Sequence, residues 1–195
     1  MQILLSDDLT EAKWKNGGGI TRNIAVGMLG DISAWRISRA DVATEGPFSN
    51  FAGLTRILTV VSSNSMELVH EDGTLQARPW EPVLFDGGMP VVSRLPDGPL
   101  TDLNLMFDPT LCSGSAQVQR GPLDLAPPPE GYLCVLHVLA GNPSCGAETF
   151  GTADTLFLEP NCGADVQLKQ GDAVLMLLIA PLDQSADMRL CIADR

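Results

Sequence analysis

At 195 residues the chain can bury a sizeable core, as one large β domain or as two small lobes sharing an interface. Its 45% hydrophobic and 18% charged residues exclude a disordered chain, and a net charge of −12 repels phosphate backbones and anionic headgroups, excluding nucleic acid and membrane surfaces as partners. The opening Met1-Gln-Ile-Leu-Leu-Ser-Asp-Asp has neither the basic nor the apolar region of an export signal, and the longest apolar run, Ala173 to Ala180, is too short to span a bilayer. Five cysteines, at 112, 134, 145, 162 and 191, are odd in number and form no CxxC pair, so they read as reduced thiols in a cytoplasmic protein.

Taken in chain order, Asp8-Leu-Thr-Glu-Ala-Lys-Trp is the one early helical candidate, with Asp8 or Thr10 able to cap a single short turn before the glycines end it. From there nearly every apolar run is short, rich in Val, Ile, Leu and Thr, and bounded by turn residues. Strands are predicted near 20–28, 33–42, 54–61, 65–70, 74–77, 82–85, 90–95 and 101–107. The segment 112–131, with Ser-Gly-Ser and the prolines Pro127 to Pro129, reads as a connector. A second series is predicted at 132–139, 147–150, 154–158, 164–168 and 173–179. The two series share a loose grammar. Arg56-Ile-Leu-Thr-Val-Val resembles Leu133-Cys-Val-Leu-His-Val-Leu, and each series ends on a turn followed by a closing strand. Paired jelly rolls suit this pattern because closure removes exposed strand edges. The predicted layout is a first lobe over 1–111, a connector over 112–131 and a second lobe over 132–195, packed as one compact unit.

Charge is unevenly spread. Between residues 13 and 56 stand six cations (Lys13, Lys15, Arg22, Arg36, Arg39 and Arg56) against three acids (Asp31, Asp41 and Glu45), a window of +3 that leaves −15 elsewhere. Such a cluster is either a site for a small anion or a set of surface ion pairs. Within it, Trp14-Lys15-Asn16-Gly17-Gly18-Gly19-Ile20-Thr21-Arg22 is the strongest local signal. Three consecutive glycines imply positive φ, close approach or an amide nest for an anion; the alternative is a plain glycine turn with Trp14 plugging the core. The spacing of a phosphate loop is missing. Strand alternation puts Arg36 and Ser38 on one face, opposite Trp35 and Ile37, and Asp102 and Asn104 on one face, opposite Leu103 and Leu105. These polar faces line a pocket if they point inward and are solvated if they point outward. A buried arginine needs an acceptor, which Asp102 or a bound carboxylate would supply.

The run WKNGGGITRNIA, with Trp35-Arg36-Ile37-Ser38, Gly46-Pro47-Phe48-Ser49, Gly53-Leu-Thr-Arg56 and Asp102-Leu-Asn104-Leu-Met106, resembles the HutD/Ves family. The resemblance covers most of the first lobe and the second in outline. It implies an all-β fold of two cupin-like barrels (jelly roll, or double-stranded β-helix) in tandem with few short helices, an association in some members with histidine degradation, and polar strand faces turned inward. The ligand-binding residues expected on this basis are Trp14, Lys15, Asn16, Gly17, Gly18, Thr21, Arg22, Trp35, Arg36, Ser38, Phe48, Arg56, Asp102 and Asn104.

Metal-binding cupins are similar to one another in an HxH pair, a carboxylate and a later histidine. This chain has two histidines, His70 and His137, far apart, so no metal or other cofactor is expected. His137, inside an apolar strand, reads as a satisfied core histidine, and Cys112-Ser-Gly-Ser is no nucleophile elbow. The expected function is binding or sensing of a small anionic metabolite of carboxylate or formyl type, such as formate, N-formylglutamate or urocanate. The alternatives are an isomerase or hydrolase that acts on such an acid without a metal, and a purely structural module. Pairing through sheet faces leaves room for a homodimer.

Overall fold

The computed structural model describes residues 1–15, 17–158, 165–183 and 185–193. Asn16 and Cys162 lie outside the described residues. The strands, in chain order, are β1 (Gln2–Leu4), β2 (Glu11–Lys13), β3 (Gly19–Leu29), β4 (Ile32–Val42), β5 (Gly46–Pro47), β6 (Thr55–Val60), β7 (Met66–His70), β8 (Gly73–Ala77), β9 (Val83–Asp86) and β10 (Val92–Arg94). They continue with β11 (Leu100–Phe107), β12 (Cys112–Arg120), β13 (Leu123–Leu125), β14 (Leu133–Ala140), β15 (Ser144–Cys145), β16 (Glu148–Thr149), β17 (Thr155–Leu158), β18 (Val166–Leu168), β19 (Ala173–Pro181) and β20 (Met188–Ile192). Ser6–Asp8 forms a single 3-10 turn, and among the described residues no helix is long and apolar enough to cross a membrane. The fold is all-β.

The chain divides into two compact units, one of Thr10–Cys112 with Ala186–Arg195 and the other of Met1–Leu9 with Ser113–Ser185. In the first, a sheet ordered β2-β3-β4-β11-β6-β9, with β20 also on β3, faces a sheet ordered β5-β10-β7-β8. Between them lies a core to which β4, β6, β9 and β11 send Val42, Leu58, Val60, Phe85 and Leu100, and β7 and β8 send Met66, Leu68 and Ala77. In the second, a sheet ordered β1-β17-β14-β19-β12 faces one ordered β13-β18-β15-β16, around Cys134, Leu136, Val138, Cys145, Leu156, Val166, Leu168 and Val174.

Three expectations are corrected. The short helix near 8–14 is replaced, past the 3-10 turn, by β2, which pairs Glu11, Ala12 and Lys13 with Arg22, Thr21 and Ile20 of β3. A hairpin satisfies more backbone groups there than one isolated helical turn, whose nucleation is unfavourable. The segment 112–131 is no connector, since it carries β12 and β13. Ser-Gly-Ser is tolerated because β12 is an edge strand, and the triple proline falls after β13 where no ladder is needed. The lobe boundaries also differ: β1 pairs with β17 and β20 with β3, so each terminus completes a sheet edge in the unit to which sequence order does not assign it.

Two glycines are demanded by close approach. A Cβ on Gly27 would lie 2.0 Å from Trp35 Nε1, because the indole of the buried Trp35 lies flat across that backbone and reaches the Met188 sulfur of β20. A Cβ on Gly19 would lie 2.3 Å from the Asp41 carbonyl and 3.2 Å from the Trp14 ring. The glycine run therefore closes the β2–β3 hairpin: Trp14 N–H donates to the Gly19 carbonyl (2.9 Å), and Gly17 N–H to the Trp14 carbonyl (3.0 Å).

A cationic cavity on the inner face of the large sheet

Register fixes which side chains meet. Arg36 of β4 and Arg56 of β6 both stand opposite Met106 of the central β11, and Phe85 of β9 extends the row. One pleat along, Ser38 and Leu58 flank Asn104; one further, Ala40 and Val60 flank Asp102, with Thr21 beside Ala40. Arg36 and Arg56 thus sit two strand spacings apart, about 10 Å between backbones, close enough for both guanidinium groups to converge on one guest. Lys13, Trp14 and Lys15 from the β2–β3 hairpin, with Phe48 and Phe51 after β5, complete the walls of a cavity of about 500 Å³.

Arg56 is only 4% exposed. Its Nη2 donates to Asn104 Oδ1 (2.6 Å), and its guanidinium lies 5.1 Å from the ring centres of Phe48 and Phe85 and 5.4 Å from that of Phe51, within cation–π range. Its buried Nε has no hydrogen-bond partner. Arg36 is more open: it lies 5.9 Å from the Phe51 ring centre, its Nε is buried without a partner, and among the described residues it makes no hydrogen bond or ion pair. Burial lowers the pKa of both arginines, that of Arg56 to about 10 against the opposing pull of Asp102.

Asp102, 1% exposed, is the one carboxylate in the wall among the described residues. Its Oδ1 accepts a hydrogen bond from Asn104 Nδ2 (2.5 Å). Burial pushes its pKa up to about 7, although Arg56 and the Asn104 amide pull the other way. Four of the chain's 12 cations, Lys13, Lys15, Arg36 and Arg56, therefore line a cavity in whose wall, among the described residues, stands a single acid.

Nine of the fourteen expected site residues meet here: Trp14, Lys15, Thr21, Arg36, Ser38, Phe48, Arg56, Asp102 and Asn104. Trp14 spans both readings offered for it, packing on the core while its Nε1 donates to Thr21 Oγ1 (2.7 Å) in the wall. Four others lie elsewhere. Trp35 belongs to the opposite face of β4, as alternation requires. Arg22 is spent on carboxylates, donating to Asp41 Oδ2 (2.7 Å) and Glu11 Oε1 (2.5 Å), with Asp41 the main cause of its raised pKa. Gly17 and Gly18 serve the hairpin, and the Gly18 carbonyl accepts from Ala43 N–H (2.9 Å). Both readings of the cationic window hold in part, since Arg22 is ion-paired while Arg36 and Arg56 line the cavity. Sequence reasoning missed Lys13, Ala40, Pro47, Ser49, Phe51 and Met106. Ala40 and Met106 follow from alternation, two residues beyond Ser38 and Asn104, whereas Phe51 lies in a loop that carries no such signal.

In the other unit, His137 Nδ1 is 3.0 Å from Thr155 Oγ1 in a fully buried setting, a satisfied core histidine. Among the described residues no three His, Cys, Asp or Glu side chains converge as metal ligands. Among the described residues the cavity wall offers one carboxylate and no imidazole, a donor set that does not suit a divalent metal.

A family model described as HutD matches residues 6–176. The chain belongs to the HutD family. Among curated relatives it is 37% identical over 114 residues to an uncharacterised 21.2 kDa protein in the hutC 3′ region of Pseudomonas putida, covering 56% of this chain and 59% of that protein. It is 29% identical over 109 residues to protein Ves of Escherichia fergusonii, covering 54% and 56%. The chain thus spans less than two thirds of these relatives' length. Among solved structures, HutD from Pseudomonas fluorescens SBW25, in a formate condition, superposes with a TM-score of 0.79 at 26% identity, covering 92% of this chain and 98% of that one. A likeness of fold alone extends to cupin-type proteins. The nickel(II) complex of an Escherichia coli pirin has a TM-score of 0.66 at 11% identity (93% and 99% covered), and a quercetin 2,3-dioxygenase from Acinetobacter baumannii 0.62 at 13% (92% and 78%).

Proposed function

We propose that this HutD-family chain is a binding or sensing protein for a small carboxylate, held in the cavity between Arg36 and Arg56. The observation that carries this reading is the pair of partly or wholly buried guanidinium groups whose Nε atoms face no protein acceptor. A desolvated cation without a partner is costly, and a guest carboxylate removes that cost through charge-assisted, forked hydrogen bonds. Lys13 and Lys15 draw the anion in, and the rings of Trp14 and Phe48 supply an apolar flank for its carbon skeleton. A protein of net charge −12 has few reasons to gather four cations around one hollow other than an anionic guest.

The two units, each of two facing sheets, are read as tandem cupin-like barrels of which the one bearing β4, β6 and β11 holds the guest. The relative beside hutC and the structure in a formate condition suggest acids of histidine breakdown as first candidates, and the acidic composition suits a cytoplasmic setting. The test is thermal-shift titration with formate, urocanate and N-formylglutamate. A guest at one hundred times its Kd stabilises the protein by about 2.7 kcal/mol. The shift should vanish in Arg36→Met, a variant whose own stability stays within about 1 kcal/mol of the parent because Arg36 anchors nothing in the protein. No shift with any of these acids overturns the reading.

A further inference from the structure

A receptor built only to hold an anion gains nothing from a carboxyl group in its wall, yet Asp102 is placed there on the central strand, 1% exposed, two pleats along from the row that bears Arg36 and Arg56 and within the electrostatic reach of Arg56. Its setting is specific. Oδ1 is fixed by Asn104 Nδ2, and Asn104 Oδ1 is fixed in turn by Arg56 Nη2, so that a chain of two hydrogen bonds aligns carboxyl, amide and guanidinium along β11 and β6. The second carboxyl oxygen takes no hydrogen bond among the described residues, and Asp102 lines the cavity. One oxygen is therefore held by the Asn104 amide while the other keeps its lone pairs for a guest in the cavity.

Resting on the carboxylate reading above, we propose that Asp102 is the general acid–base of a proton-transfer site acting on small enolisable 2-oxo acids, with Arg36 and Arg56 holding the carboxylate and the developing oxyanion. The free oxygen of Asp102 takes a proton from the carbon next to the ketone. The C–H bond breaks and an O–H bond forms on Asp102, the released pair becomes a C=C bond, and the carbonyl pair moves onto oxygen as an enolate. The guanidinium groups neutralise that charge in a desolvated setting, where fixed donors act most strongly. Return of the proton to the same carbon regenerates the acid, and return to oxygen gives the enol. No electrons are gained or lost, so no co-reactant is required. The elevated pKa of Asp102, near 7, keeps base and acid forms both populated at neutrality, which proton shuttling needs.

The experiment follows 2-oxobutyrate and 2-oxoglutarate in deuterated buffer by proton NMR, reading loss of the C3 hydrogens, while calorimetry on the same samples reads binding. The intact protein should accelerate exchange at least about a hundredfold over buffer, and Asp102→Asn should return it to within a few-fold of the buffer rate. Binding should persist or tighten in Asp102→Asn, because a negative charge has left an anion site. Exchange in the intact protein should also rise with a single ionisation near neutral pH, a profile that stands independently of how well the variant folds. Binding without exchange, exchange that survives in a folded Asp102→Asn, or a flat pH profile overturns the proposal and leaves the carboxylate reading intact. Absence of both binding and exchange overturns both.

Discussion

Replacing Asp102 with Asn should stabilise the protein, and do so more as pH rises. In the unfolded chain this group titrates near its ordinary 3.8, whereas in the cavity burial moves it to about 7. The folded form thus holds a proton that the unfolded form has lost, and the contribution of Asp102 to stability falls as pH climbs from the lower value through the higher. Between pH 5 and pH 8 this linkage removes about 2–3 kcal/mol from the wild type, on the scale of 1.36 kcal/mol per pKa unit. Asn keeps the shape and still accepts from Asn104 Nδ2, but it has no proton to lose. Differential scanning fluorimetry of both proteins at pH 5 and pH 8 should show a Tm advantage for the variant that grows by about 5–10 °C, given about 2–4 °C per kcal/mol at this chain length. An advantage that shrinks with pH, or a variant less stable throughout, would mean that Asp102 is a structural carboxylate held ionised by Arg56, and the account of the cavity's electrostatics would be wrong.

On the carboxylate reading, the same ionisation should govern guest affinity. An ionised Asp102 repels a carboxylate, so Kd for a bound acid should rise about tenfold between pH 6 and pH 8, as calorimetry can measure; constant affinity would separate the guest from Asp102. Gly27→Ala should destabilise by about 2–3 kcal/mol, read as a shift of the urea midpoint, since its methyl would occupy the place of the Trp35 indole.

Most strand positions were legible because short apolar runs bounded by turn residues, with apolar and polar side chains alternating along them, leave a strong imprint. In β4, Trp35 and Ile37 alternate with Arg36 and Ser38, and in β11 Leu103 and Leu105 alternate with Asp102 and Asn104, so the composition of each face could be stated from residue positions alone. The direction of the polar face could not, because alternation names two faces without saying which is enclosed. The resemblance to the HutD/Ves family leaned inward, and the cavity lies on that face. β1 and β20 escaped notice because short terminal strands take their identity from a distant partner, Phe157 or Val26, and not from their own pattern. β12 was hidden for a related reason: an edge strand tolerates the Ser-Gly-Ser sequence that reads locally as a loop. Arg22 misled because a cation adjoining a striking motif looks functional, while its acceptors Glu11 and Asp41 are brought beside it by strand register.

The two arginines are held very differently. Three phenyl rings and an amide grip Arg56, whereas Arg36 touches one ring and is otherwise unattached. The hollow therefore resembles a bench vice with one jaw bolted down and one held by a single screw: on the carboxylate reading, the first would set where a workpiece seats, and the second has the fewer fastenings to hold it in place.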